Sequence, residues 1–338
     1  MNRALLIVTL VTAFGIGCKK AEPTKQAPAE TTNAPTAVEA KPEAKPEAKP
    51  DPNVEAGSSG AAAADPWSKP APAKDPLPRP FLWSVEKDGI TSYLLGTIHK
   101  GVDAESRLPA IVFEKLDGSP AFAMETDLSA AGPEMTKIIE CVGCSLKKEL
   151  TPAQYATLEK ALGKATVDKI QRMKPMVAAT MLSLQFMPET SAMDSVLQGR
   201  ALRLNKKIVY LEDAADAAQV LAKWMDVRAL QLMLDSLDKT KQQMADMLDA
   251  YIAGDETKLL AINDSEKDKA LEVYSQAEYD QQQADMLYNR NAAWIPPIEK
   301  MHAEGGGFVA VGTLHLVGPK SVPEMLEKKG YKITRLSP

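Results

Sequence analysis

Two of the three histidines in the chain lie in matching short motifs. His99 ends Gly-Thr-Ile-His after one apolar segment, and His315 ends Gly-Thr-Leu-His after another. Chance rarely repeats a four-residue motif around two of three histidines, so we expect a shared role. Glycine at the end of a strand lets a ligand approach the backbone, which places Gly96 and Gly312 in the same expected site. Two neutral imidazoles brought together are a good beginning for a divalent metal site.

Two acidic residues and one basic residue complete the candidate site. Glu125 and Glu212 each follow a short apolar segment, and a carboxylate in that position lies at the edge of a sheet. Two histidines and one carboxylate leave positions open for water and substrate, so Glu125 is predicted as the third metal ligand. Glu212 is predicted as a further ligand or a general base. Arg290 is predicted to bind a carboxylate or stabilise an oxyanion.

A purely structural interpretation of the same residues is also open. His99 and His315 could be core histidines bonded to backbone carbonyls, and each acid could be a residue of a first helical turn. Arg290 could belong to an ion pair on a helix surface. His302 lies in no such motif and is predicted to be a surface residue of a helix.

Strand patterns occur at both ends of the chain, with helical patterns between them. Segments 81–85 and 90–95 flank Asp88-Gly89, which is a strong hairpin signal. Further strands are predicted at 121–124, 207–211, 308–311 and 332–336. Helices are predicted at 109–116, 152–162, 176–187, 195–204, 227–251, 279–301 (interrupted at Pro296-Pro297) and 322–329. The pattern favours a single α+β domain, with a central sheet built from N- and C-terminal strands and a largely helical middle.

The first residues have the pattern of a lipoprotein signal peptide. An apolar segment, 4–16, is too short to span a membrane and ends in Gly-Ile-Gly-Cys, which predicts acylation of Cys18. The alternative is an ordinary cleaved signal peptide. Lys19 favours the periplasmic face of the outer membrane. Residues 19–76 are rich in Pro, Ala, Lys and Glu and are predicted to form a disordered linker to a domain at 77–338.

Cys141 and Cys144 form a Cys-x-x-Cys motif in a compartment that is predicted to be oxidising. If Cys18 is lipidated, the remaining cysteines are even in number, which favours a structural disulfide. A zinc site would need two further ligands nearby, and a redox centre would need a thioredoxin-like βαβ context.

The charge of the chain argues against a nucleic-acid partner. The formal net charge is -5 and the isoelectric point is about 5.5, whereas a nucleic-acid binder needs a basic face. The sequence contains no nucleophile elbow, His-Glu-x-x-His motif, phosphate-binding loop or dinucleotide fingerprint.

The order of these motifs resembles the TraB/GumN family, which includes the Tiki membrane proteases. The resemblance extends over residues 80–338, and its segments are 94–99, 125–127, 193–197, 209–212, 289–291 and 311–318. It implies an α+β fold similar to that of erythromycin-esterase-like and haem-binding ChaN-like proteins. It also implies a catalytic role for Gly96, His99, Glu125, Gly312 and His315. Thr313-Leu314 departs from the family pattern of Ala with a small residue, which bears on the local pocket.

These observations favour a metal-dependent hydrolase of the cell envelope that acts on peptide bonds. His99, His315 and Glu125 would hold Mn²⁺, Co²⁺ or Zn²⁺. The alternative is a lipoprotein that binds a peptide or haem through the same histidines without turnover. A third possibility is an envelope interaction module whose site is vestigial. The expected partners are a peptide or small-molecule substrate and, through the lipid anchor only, a membrane.

Overall fold

The computed structural model describes residues 75–127, 133–265 and 267–338. Cys18 and the predicted linker, apart from its last two positions, lie outside these residues. The strands are β1 Leu82–Lys87, β2 Ile90–Thr97, β3 Ala121–Met124, β4 Lys207–Tyr210, β5 Phe308–Gly312 and β6 Lys332–Arg335. The helices before β4 are α1 Ala104–Arg107, α2 Ala110–Gly118, α3 Pro133–Ile139, α4 Leu146–Glu149, α5 Pro152–Leu162, α6 Lys164–Ile170, α7 Pro175–Gln185 and α8 Met193–Arg203. Those after it are α9 Ala214–Trp224, α10 Val227–Asp235, α11 Leu237–Ala253, α12 Glu256–Ser265, α13 Lys267–Ala270, α14 Gln276–Gln283, α15 Asn289–Ala303 and α16 Val322–Glu327.

The strands form one sheet in the order β4-β3-β5-β2-β1-β6. The neighbours β4, β3, β5 and β2 are parallel to one another, whereas β1 is antiparallel to both β2 and β6. Residues of β3 and β5 are buried along their whole length, as expected for parallel strands covered on both faces. The predicted fold class is therefore confirmed.

The first hairpin has the predicted turn. Asp88 and Gly89 both adopt positive φ, 52° and 77°, which matches a two-residue turn whose twist suits a hairpin. The antiparallel register then pairs Leu82 with Leu95 and Lys87 with Ile90. This hairpin anchors β2, which lies next to β5 from the other end of the chain.

A second apolar cluster lies in the helical middle of the chain. It contains Leu158 of α5, Leu182 of α7 and Leu230 of α10, all of which are fully buried. α5 begins with a capping box, in which Thr151 and Gln154 bond reciprocally through side chain and backbone and so satisfy N–H groups of the first turn. The middle is thus packed around its own core beside the sheet.

Two predicted helices differ from the observed ones. The single predicted helix 227–251 is divided at Ser236, whose φ of −133° and ψ of 35° are not helical. The expected interruption at Pro296-Pro297 is wrong, because α15 continues through both prolines. The carbonyls that lose a donor there belong to Ala292 and Ala293, which are exposed, so water can satisfy them. The irregularity lies earlier, in a π-helical turn at Ala284–Tyr288.

The two cysteines of the middle are paired. Cys141 and Cys144 form a disulfide with their Cα atoms 5.3 Å apart, within the usual range. The backbone N–H of Cys141 donates to the Arg172 carbonyl at 2.9 Å, which ties this loop to the segment before α7. Within the described ranges, no helix is long and apolar enough to cross a membrane.

Candidate functional site

The carboxyl ends of the four parallel strands lie side by side and carry the predicted site residues. In spatial order β4, β3, β5 and β2 are followed by Glu212, Glu125, His315 and His99. Because parallel strands all end at one edge of the sheet, chain segments far apart in sequence deliver their side chains to one place. The sheet topology is thus what assembles the candidate site.

His99 is held by a buried carboxylate. Its Nδ1 lies 2.8 Å from Oδ2 of Asp194, and the Thr97 hydroxyl donates to the other carboxylate oxygen at 2.9 Å. The first turn of α8 is fixed nearby, since the Met193 N–H donates to the carbonyl of His99. A carboxylate only accepts, so Nδ1 carries the proton and Nε2 keeps its lone pair when the ring is neutral.

The contact between His99 and Asp194 also controls the protonation of His99. Burial alone would lower the pKa of this imidazole, but the charge and hydrogen bond of Asp194 outweigh burial and raise its pKa above the ordinary value. The reciprocal effect holds for Asp194, where His99 and Thr97 outweigh burial and lower the carboxyl pKa. His99 is therefore the more basic of the two site histidines.

His315 is fixed in the same tautomer by a neutral group. Its Nδ1 lies 2.6 Å from Oδ1 of Asn291, whose amide is oriented by donating to the Lys320 carbonyl at 2.9 Å. Burial, the charge of Arg290 and the nearby His99 all hold the pKa of His315 well below its ordinary value. His315 is consequently a neutral imidazole with an unprotonated Nε2.

Gly312 marks the point on which the site residues converge. Its backbone N–H donates to Oε1 of Glu125 at 2.8 Å. A Cβ at Gly312 would lie 3.3 Å from that oxygen, 3.6 Å from Cδ2 of His315 and 3.8 Å from Nε2 of His99. The side-chain position that glycine leaves open is therefore bordered by both imidazoles and one carboxylate.

The two similar motifs are offset in the sheet. Gly96 pairs with Val311, and Thr97 pairs with Gly312, so the glycines are not equivalent. A Cβ on Gly96 would lie 2.8 Å from Oγ1 of Thr313. Gly96 thus serves close packing between strands, while Gly312 opens the site itself.

Arg290 lies among the acidic residues and uses all of its donors. Nε donates to Glu212 at 2.9 Å, and Nη2 donates to Oε2 of Glu125 at 2.8 Å and to Glu212. Nη1 donates to the Met286 carbonyl at 3.1 Å and lies 3.3 Å from Nε2 of His315. The guanidinium has five N–H groups, and each has a partner. Arg290 thus pairs with two carboxylates of the chain itself, and its side chain is only 6% exposed.

Of the two carboxylates bonded to Arg290, Glu212 is the more accessible to solvent. Its side chain is 14% exposed, compared with 3% for Glu125. Burial raises the pKa of Glu212, and the hydrogen bonds and charge of Arg290 oppose that rise. A carboxyl whose pKa moves toward neutrality suits proton transfer better than an ordinary one.

The donor set fits a divalent ion in chemistry and charge. Nε2 of His99, the ring of His315 and a carboxylate oxygen of Glu125 border one open position, and the Nδ1 partners resemble those that orient metal-bound histidines. The site has a formal net charge of minus two when both imidazoles are neutral. Three carboxylates contribute negative charge (Glu125, Glu212 and Asp194), and Arg290 balances one of them. In the described residues, no group of three or more His, Cys, Asp or Glu side chains is arranged to hold an ion.

Access to His99 is narrow. One cleft beside it, lined by Met247 and Tyr251 of α11 and by Gly312, has a volume of about 20 Å³. Another, lined by Met187 and Met244, has a similar volume of about 20 Å³. A cavity of that size holds about one water molecule. Each of these two clefts therefore has room for about one water molecule beside the imidazole.

The prediction that His302 is a surface residue is wrong. This residue is buried, and its Nδ1 lies 2.8 Å from the hydroxyl of Ser92. Its Nε2 lies 3.2 Å from the Lys87 carbonyl. Ser92 in turn accepts the backbone N–H of Gly307. The ring is buried because Gly305-Gly306-Gly307 turns the chain at once from α15 into β5, beside the hairpin.

Two residues of the site were not assigned from the sequence. Asp194 and Asn291 both lie in segments that resemble the family pattern, yet neither was given a role. The signal that could have found them is their position, since each stands in the first turn of a helix within a segment that resembles the family pattern. Each buried histidine needs an acceptor for its protonated ring nitrogen, and these two helical turns supply one.

The sequence of the chain was compared with those of known proteins and protein families. The chain is similar to two proteins named only as uncharacterized protein YbaP. It is 24% identical to the Shigella flexneri protein over 70% of this chain and 87% of that protein, and 24% identical to the Escherichia coli K12 protein over 69% and 87%. No solved structure matches the chain. Residues 81–335 match the TraB/PrgY/gumN family over most of the sequence, and the chain therefore belongs to that family.

Proposed function

We propose that the chain is a metal-dependent hydrolase of amide or ester bonds, with peptides as its expected substrates. The observation that carries the proposal is that Nε2 of His99, the ring of His315 and Oε1 of Glu125 all lie within 4 Å of the side-chain position that Gly312 leaves open. His99, His315 and Glu125 are the residues that would hold the ion. When bound there, Mn²⁺, Co²⁺ or Zn²⁺ would polarise a carbonyl and lower the pKa of a water molecule.

The remaining side chains hold these groups in position. Asp194 orients His99, and Asn291 orients His315, so each ring has Nδ1 bonded to a partner. Nε2 of His99 then faces Gly312, and Nε2 of His315 faces Arg290. Glu212 is the proposed proton acceptor, because it is more exposed than Glu125 and its pKa is raised. Arg290 bridges Glu212 and Glu125 through Nη2 and balances part of their charge.

The cellular location remains part of the proposal. Acylation of Cys18 would place the domain at the cell envelope, tethered through residues 19–76 on the periplasmic face of the outer membrane. A Cys18→Ser variant should then leave the membrane fraction. A wild-type protein that is already free of membranes would contradict lipid anchoring and leave the hydrolase proposal untouched.

The decisive experiment is a digest of a peptide and ester library by the full chain. We expect cleavage that stops on chelation and returns with Mn²⁺, Co²⁺ or Zn²⁺. His315→Ala should lose this activity. Cleavage that survives chelation, or equal cleavage by His315→Ala, would contradict the mechanism. Binding of peptide or haem without any cleavage would favour the non-catalytic alternative.

A further inference from the structure

Arg290 stands where two of the proposed metal ligands need a cation. Two of its N–H groups are directed to Nε2 of His315 and Oε2 of Glu125. The other three are held by Glu212 and by the Met286 carbonyl. The guanidinium is 6% exposed. It therefore occupies lone pairs that a divalent ion would also use.

The local backbone explains how Arg290 reaches this place. The π-helical turn at Ala284–Tyr288 ends immediately before Asn289. Its extra residue rotates the next turn, so that Arg290 and Asn291 are both buried. Turns of this kind are frequent at functional sites. The same turn supplies the Met286 carbonyl that anchors Nη1.

We propose that Arg290 is a resident counter-cation that a divalent metal displaces from His315 and Glu125. This inference rests on the proposed function, because the ion binds at the same site. Glu212 and the Met286 carbonyl retain the other three N–H groups, so the side chain shifts rather than leaves. Arginine suits this role because it stays charged at every pH at which the protein is folded.

The inference has a consequence that an ordinary structural ion pair would not have. If Arg290 competes with the ion, removing its charge should improve metal binding, because Glu125 and His315 are then no longer bonded to another cation. If Arg290 only holds Glu125 and His315 in position, removing it should weaken metal binding. The two roles therefore predict opposite signs.

The first test is calorimetric titration of the full chain with Mn²⁺ and Zn²⁺. We expect Arg290→Met to bind on the order of tenfold tighter than the wild type, because two charge-assisted contacts no longer compete. Its metal-free form should unfold at a lower temperature. Arg200→Met is the matched control, since Arg200 makes a bidentate pair with Asp117 far from the proposed ligands. Unchanged or weaker binding by folded Arg290→Met would overturn the inference.

A second test does not depend on the folding of that variant. In full chain labelled with ¹⁵N-arginine, the Nη protons of Arg290 should shift when Zn²⁺ is added, while the Nε proton held by Glu212 stays protected. Arg290→Lys identifies the signals. Zinc binding without any such shift would reject this inference alone. Absence of binding by the wild type and every variant would reject the proposed function and this inference together.

Discussion

The chain buries histidines in two regions, and the two regions use the ring nitrogens differently. At the end of α15, both nitrogens of His302 are bonded, one to the hydroxyl of Ser92 and one to the carbonyl of Lys87. At the edge of the sheet, His99 has one nitrogen bonded to Asp194 and the other facing Gly312. Both residues are almost completely buried. The difference shows that an available lone pair, rather than burial, indicates a site that can bind or react.

His302 has the opposite tautomer to His99 and His315, because its ring nitrogens have different partners. The Lys87 carbonyl can only accept, so Nε2 of His302 carries the proton and Nδ1 accepts from Ser92. Asp194 and Asn291 accept at Nδ1 of His99 and His315, which leaves each Nε2 unprotonated. One region uses imidazole as a bridge between backbone and side chain, and the other leaves Nε2 without a proton when the ring is neutral.

The largest effect is expected from His99→Ala. Because the proposed metal loses a ligand outright, its affinity should fall by more than about 100-fold, beyond the range for an orienting residue. Turnover should disappear. His302→Ala, which is matched in residue type and burial, should keep metal affinity and turnover while lowering the unfolding temperature. Equal metal affinity in the two variants, measured by calorimetry, would remove the distinction between the regions.

Asp194→Asn should have the next largest effect. Loss of an orienting carboxylate should weaken metal binding by roughly 10- to 100-fold. Asp194 raises the pKa of His99, so the variant lowers that pKa, and the imidazole stays unprotonated to a lower pH. In a plot of metal affinity against pH, the acidic limb is the range in which affinity declines as pH falls. This limb should therefore move to lower pH, even though the affinity itself is weaker. A limb that moves to higher pH, in titrations across the imidazole range, would show that another group controls it.

Asn291→Ala should have a smaller effect on the same measurement. Its amide orients His315 without contributing a charge, so we expect a loss of about tenfold, at the low end for such partners. Because burial and Arg290 still hold the pKa of His315 low, the pH limb should not move. A loss as large as that of Asp194→Asn would mean that orientation matters more than charge.

Ser92→Ala should leave metal binding unchanged. It removes the partner of His302 Nδ1 and of the Gly307 N–H, which should destabilise the fold by roughly 1–3 kcal/mol. Chemical denaturation of the full chain measures this change. A weakening of metal affinity would show that the two regions are coupled through the hairpin.

The sequence predicts the strands and the paired histidines well because both leave local signals. Asp88-Gly89 specifies a hairpin, and the repeated Gly-x-x-His motif places His99 and His315 at the ends of strands. Parallel strands with a common carboxyl edge then bring the two rings together. Because the local pattern and the sheet topology agree, the proximity of the two histidines can be predicted without knowing how side chains pack.

Long-range polar contacts leave no such signal. Asp194 reaches His99 across 95 positions, and no periodicity or spacing announces that partnership. The burial of His302 also depends on distant chain, since Ser92 lies 210 positions away. The break at Ser236 was missed because the apolar positions of α10 and α11 continue with nearly one helical period across it.

The neighbouring positions of β2 and β5 determine when the site can form during synthesis. The hydroxyl of Thr313 donates to the carbonyl of Thr97 across 216 positions, and β5 lies between β3 and β2. A growing chain therefore carries His99 and Glu125 without His315 until almost all of the domain has been made. Such distant pairings also form slowly. The two imidazoles therefore meet only when β5 joins the sheet.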